Sequence, residues 1–148
     1  MSTIKITNAE ATRLIEMAKQ ALISEFYFPT KGTDKSFDVV GDSKADVFTI
    51  NIYRGGIART KCNFGARIKK NGIMLLELHI SPTQVHINPD GEKITGSHWH
   101  IYTEEYGRSL AFPANDINEY AFVDNTLNFL KRFNVINPPD VNVQLELV

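Results

Sequence analysis

The sequence predicts an α+β domain: a curved antiparallel β-sheet with an N-terminal and a C-terminal helix packed on one face. Three observations predict it. A capping box followed by apolar residues at helical spacing opens the chain. A long middle segment alternates apolar and polar residues and is cut by short turns. A second stripe at helical spacing lies near the C-terminus. The 148 residues suit one domain, residues 1–148, with a sizeable core.

The elements follow in order. Thr7-Asn8-Ala9-Glu10 has the capping-box spacing, and Ala11, Leu14, Ile15, Ala18, Leu22 and Phe26 repeat at helical intervals, so a helix is expected from Asn8 to about Glu25. Pro29 disfavours helical geometry at Phe28 and ends that region. Phe37–Val40 and Asp46–Tyr53 read as strands separated by the Gly41-Asp42-Ser43 turn, and Ala58–Lys69 as a further strand. Lys70-Asn71-Gly72 carries the Asn-Gly signal of a two-residue hairpin, which would pair Lys70 with Ile73, Arg67 with Leu76 and Gly65 with Leu78. Ile73–Ile80 is then a central strand. Val85–Ile87 and Glu92–Ile94 flank the tight turn Asn88-Pro89-Asp90-Gly91. Gly96 leads into the strand bearing Trp99. Asp116 is placed as the cap of the second helix, which runs through Ile117, Tyr120, Leu127, Leu130 and Phe133, and Val141, Val143, Leu145 and Leu147 alternate as a last strand.

Composition bounds the function class. Hydrophobic residues make up 43% and charged residues 22%, the balance of a soluble globular protein. No apolar run reaches the roughly 18 residues of a membrane span, and the N-terminus has no signal-peptide core, so a cytoplasmic protein without a membrane partner is expected. The lone Cys62 cannot form an internal disulfide and argues against a cysteine-based zinc site. Between Asn51 and Leu76 stand six basic residues (Arg54, Arg59, Lys61, Arg67, Lys69, Lys70) and no acidic one. A basic hairpin on an otherwise acidic chain attracts a polyanion. Its plainer reading is a solvated strand edge protected by lysines.

All four histidines fall between residues 79 and 100. On a strand, His98, His100 and Tyr102 share one face, with Trp99 and Ile101 on the other. Imidazoles titrate near neutrality, so a pair can divide into general base and general acid. The leading expectation is therefore a small metal-independent endoribonuclease. His86, His98 and His100 would transfer protons with help from Tyr102, and Arg67 would hold the phosphate. Arg59, Lys61 and Lys69 would carry the rest of the RNA backbone. This reading calls for no cofactor. A second reading places a divalent metal on His98 and His100, with His86 or Glu77 as third ligand. A third leaves both histidines as surface residues of a half-exposed strand. The rival from another class is a non-enzymatic phage or mobile-element protein that binds and inhibits a host protein such as a defence nuclease.

The stretch from His86-Ile87-Asn88-Pro89-Asp90-Gly91 through Gly96-Ser97-His98-Trp99-His100-Ile101-Tyr102 resembles a group of small prokaryotic and phage proteins without assigned activity, which share a His-x-Asn-Pro-Asp-Gly turn followed by Gly-x-His-x-His-x-Tyr. The resemblance implies a single-domain intracellular protein. A more distant likeness, resting on the order Arg67, His86, His98, His100, is to RNase toxins of toxin–antitoxin systems, and implies RNA as substrate and an antitoxin or host factor as protein partner. Glu77-Leu78-His79 departs from that pattern, which has Asp at the end of the central strand.

Overall fold

A computed structural model describes residues 4–57, 61–115 and 117–144. Helix α1 (Asn8–Glu16) begins at Thr7, whose hydroxyl accepts from the Glu10 amide at 3.1 Å, as the capping box predicts. It ends nine residues short of expectation. Its C-terminal carbonyls find tertiary partners: Asn134 donates to Glu16, and the Lys19 ammonium donates to Ile15, Met17 and Phe133 at 2.8–2.9 Å. Those partners let the chain leave the helix at Met17 and enter strand β1 (Lys19–Ala21). Leu22 is consequently exposed rather than part of a buried stripe.

The remaining elements are β2 (Glu25–Tyr27), β3 (Asp34–Val40), β4 (Val47–Arg54), β5 (Cys62–Ile68), β6 (Met74–Ile80), β7 (Val85–Ile87), β8 (Lys93–Thr95), β9 (His98–Ile101), β10 (Ala111–Pro113), α2 (Phe122–Arg132), β11 (Val135–Asn137) and β12 (Asp140–Asn142). Eight strands form one sheet in the order β10-β9-β6-β5-β4-β3-β1-β11. The sheet is mixed rather than wholly antiparallel, because β11 returns from α2 and pairs with β1 in parallel, Lys19 opposite Val135. The tail expected as a sheet strand instead pairs β12 with β2 in a separate parallel ribbon, and β7 and β8 form a third, antiparallel one. Residues 145–148 of that tail, and the expected helix cap Asp116, lie outside the described residues. Helix α2 starts at Phe122, later than expected, and Ala121 provides no side-chain cap.

Alternation along the central strands sorts the two faces. Phe48, Ile50, Ile52, Cys62, Phe64, Ala66, Leu76, Leu78 and Ile80 are at most 1% exposed and share one core with Ala11 and Leu14 of α1 and Phe129, Leu130 and Phe133 of α2. Each phenylalanine buried this way contributes about 1.5–3 kcal/mol of transfer free energy. Both helices therefore cover one face, as expected. The opposite face carries Asn51, Asn63, Gly65, Arg67, Glu77, His79, His98 and His100. Its register differs from the simple hairpin. Ile68 and Ile73 close a four-residue loop (Ile68 N to Ile73 O, 2.9 Å), Gly72 supplies a φ of +76°, and a bulge lies between Ala66 and Arg67. Gly65 thus faces Glu77 rather than Leu78, and Arg67 faces Met74 rather than Leu76.

Candidate metal centre

Strands β6 and β9 are antiparallel neighbours, with His79 directly opposite His98 and Glu77 opposite His100. This pairing brings together three histidines separated by up to 21 residues. The β7–β8 ribbon then folds back over the same face. Asn88, buried in its turn, donates to the Ala111 carbonyl at 2.9 Å and accepts from the Ala111 amide at 2.8 Å, which fixes the ribbon on β10. Docked this way, the ribbon lays His86 against the pair.

The ring centroids are 4.7 Å apart for His79 and His100, 4.9 Å for His98 and His100, 4.9 Å for His86 and His100, 5.2 Å for His79 and His98, and 5.4 Å for His86 and His98. Imidazoles bound to one tetrahedral ion at Zn–N distances near 2.0–2.1 Å have centroids about 5 Å apart. The cluster already has that spacing. One ring nitrogen from each of His79, His98 and His100 lies within 4.8 Å of the others, so modest side-chain rotation brings them to a common ion.

The second ring nitrogens decide which atoms are free. His98 Nδ1–H donates to the Gly96 carbonyl at 2.9 Å, and His86 Nε2–H donates to the Ser109 carbonyl at 2.9 Å. His79 Nε2–H donates to the Glu77 carboxylate at 3.2 Å. Each bond assigns a tautomer and leaves the other nitrogen with its lone pair: Nε2 of His98 and Nδ1 of His86 and His79. Carbonyls and a carboxylate behind the ring are the usual supports of metal-bound histidine. His98 Nε2 and His100 Nδ1 are buried and bond to nothing among the described residues. A buried polar atom without a partner costs about 1–3 kcal/mol, and a metal ion would supply the missing partner to both.

Electrostatics agree. His98 is fully buried and His100 is 6% exposed. Burial pushes both imidazoles below their ordinary pKa, His100 to about 4, so both are neutral near pH 7, the form that binds metal. Burial raises the Glu77 carboxyl, but the bonds from His79 and from Arg108 outweigh it and hold Glu77 below the usual carboxylate range. Arg108 binds Glu77 with two nitrogens, Nε donating at 2.9 Å and Nη2 to the other oxygen.

The other expected site residues divide. His86, His98 and His100 meet, but His98 and His100 lie beneath the ribbon rather than open to solvent. Tyr102 does not join them: its hydroxyl accepts from the Ile6 amide at 3.1 Å and donates to the Ile6 carbonyl at 3.3 Å, tying the segment before α1 to the sheet. Arg67 lies on the histidine face and lines a hollow with Glu77, His79 and Arg108. Lys61 and Lys69 are exposed at opposite ends of β5; Lys69 pairs with Asp38 at 2.6 Å, a carboxylate that Arg67 also acts on through space, while Lys61 lies at the far end of the strand. Arg59 lies outside the described residues. Cys62 points to the helix-covered face, where burial raises its thiol to about 11. His79 and Arg108 are the residues that sequence reasoning left out of the site. Alternation on β6 puts His79 on the face of Glu77, and the missing signal was the β6–β9 register; Arg108 sits in an irregular excursion with no periodic signal at all.

Among the described residues no helix is long and apolar enough to cross a membrane. Residues 6–135 match the family of unknown function DUF6978, and the chain belongs to that family. No curated protein and no solved structure matches the chain.

Proposed function

We propose that this member of the DUF6978 family is a metal protein, with a first-row divalent ion of the zinc class held by His79, His98 and His100 and by His86 from the covering ribbon. The observation that carries this reading is the pair of orphaned nitrogens, His98 Nε2 and His100 Nδ1, within the group His79, His98 and His100 at metal-site spacing, with the His86 ring 4.9 Å from His100 and 5.4 Å from His98. An all-imidazole donor set suits zinc, copper, nickel or iron, and lacks the oxygen ligands that magnesium and calcium require. Such an ion would supply Lewis acidity when a position is open to a ligand, that is, with the three sheet histidines bound and His86 of the ribbon displaced. The chain supplies the rest: the sheet fixes three ligands, carbonyls and Glu77 orient the rings, and the ribbon limits water.

The metal-free ribonuclease expected from the sequence is the weaker reading. General acid–base cleavage needs two imidazoles that substrate reaches, one of them protonated. The ribbon covers His98 and His100, and their burial favours the neutral form.

The test is a zinc titration against a chromophoric chelator. The wild type is expected to bind one ion per chain, and His98→Ala/His100→Ala to lose at least 100-fold in affinity. Equal affinity in the two proteins contradicts the assignment.

A further inference from the structure

Beside the histidines, on the same face of the sheet, lies a hollow of about 230 Å³ over β4, β5 and β6. It shares His79 with the metal centre. Gly65 and Met74 line it side by side: a Cβ at Gly65 would stand 3.2 Å from the Met74 sulfur, so the missing side chain makes room for Met74. The size of the hollow is below the roughly 300–1,000 Å³ of sites that enclose a whole drug-sized molecule, so it suits one group of a larger ligand.

The lining is rich in hydrogen-bond donors. Arg67 forms no hydrogen bond or ion pair among the described residues, although Asp38 acts on it through space. Asn51 accepts the Ser36 hydroxyl at 2.7 Å through Oδ1, which leaves its NH₂ to donate into the hollow. Asn63 and Tyr53 line the same hollow. The one carboxylate, Glu77, has both oxygens engaged by Arg108 and His79. Its charge is thereby answered within the wall, and the two guanidiniums leave the hollow net positive. Free donors, a fixed positive charge and a spent carboxylate describe an anion subsite, and planar guanidinium forks match phosphate oxygens.

We infer that this hollow is the substrate-anion subsite of the metal centre and that it takes a phosphoryl group, with Arg67 as its principal binding residue. Only the pairing with a metal rests on the proposed function; the hollow is formed by residues already in place. A phosphoryl group held there lies next to His79, at the border of the centre whose Lewis acidity would act on a phosphoester.

The probe is inorganic phosphate, titrated calorimetrically into the full chain with and without zinc, with sodium acetate as a second anion. Phosphate is expected to saturate one site in both forms and to bind at least tenfold more tightly than acetate. Arg67→Gln is expected to weaken phosphate at least tenfold and Arg67→Lys to recover only part of the loss, both with unchanged zinc affinity. Lys131→Gln, the same charge change on the exposed side of α2 and away from the hollow, is expected to shift binding less than twofold. Absent phosphate binding, or equal binding by the wild type and Arg67→Gln, overturns the inference. Phosphate binding that follows Arg67 in a chain that takes up no zinc supports the subsite and removes the metal reading alone.

Discussion

At the scale of single residues, His98 and His100 carry the account, and their burial has a consequence for stability. In the unfolded chain an imidazole takes a proton near pH 6.5; in the fold His100 resists protonation down to about 4. Its folded value is depressed, so its contribution is fully present above about pH 6.5 and is lost as pH falls toward 4. For the metal-free protein, urea denaturation at about pH 7.5 and pH 5 is expected to show the wild type losing about 2 kcal/mol more than His100→Asn over that interval. Equal losses would contradict the burial of that ring. The proximity of His86, His98 and His100 was legible from their spacing, because alternation and a tight turn are local properties. Their exposure was not. A ribbon docked through Asn88 covers them, and nothing in a strand's own alternation reports what lies above it. Tyr102 shows the same limit: strand periodicity put it with His98 and His100, while its hydroxyl is bound by the backbone of Ile6, 96 residues away.

At the scale of elements, two contacts decide how the site is assembled. The β7–β8 ribbon is anchored by the paired bonds of Asn88 to Ala111. Removing them in Asn88→Ala is expected to cost about 2 kcal/mol, to speed amide exchange in β7 and β8 while β5 and β6 stay protected, and to lower zinc affinity about tenfold as His86 is released. Unchanged exchange in the ribbon would show that it is held by something else. Lys19 does comparable work at the other end of the sheet. Its ammonium is wholly buried, uses its three donors on carbonyls at the ends of α1 and α2, and lies 3.7 Å from the Phe133 ring centroid. Lys19→Met leaves those acceptors bare, and a loss of about 2–4 kcal/mol in urea unfolding is expected. This contact also explains why helix periodicity overran: Leu22 and Phe26 continue the α1 spacing, but Lys19 and Asn134 end the helix through partners more than 100 residues away. Likewise Asn71-Gly72 marked a turn correctly, while its four-residue loop and the bulge at Ala66 and Arg67 came from packing that no dipeptide encodes.

At the scale of the whole molecule, the mixed class, one core and a shared face for the two helices followed from apolar periodicity, which burial enforces along every long strand. The parallel β1–β11 pair did not, since three-residue strands carry almost no pattern. The molecule that results puts its apolar core on one side of the sheet and its histidines on the other, so the two stabilise it independently. A ligand that binds only the fold adds stability by mass action. Zinc at about a thousand times its dissociation constant is expected to add about 4 kcal/mol and raise the melting temperature by about 10 °C, and a chelator is expected to reverse it. The most direct test of the histidine centre is the visible absorption of the cobalt(II)-loaded chain. Four imidazoles around one ion predict the intense bands of tetrahedral cobalt at one equivalent, absent in His98→Ala/His100→Ala; the faint spectrum of hydrated cobalt in the wild type, or the same intense bands in the variant, would contradict it.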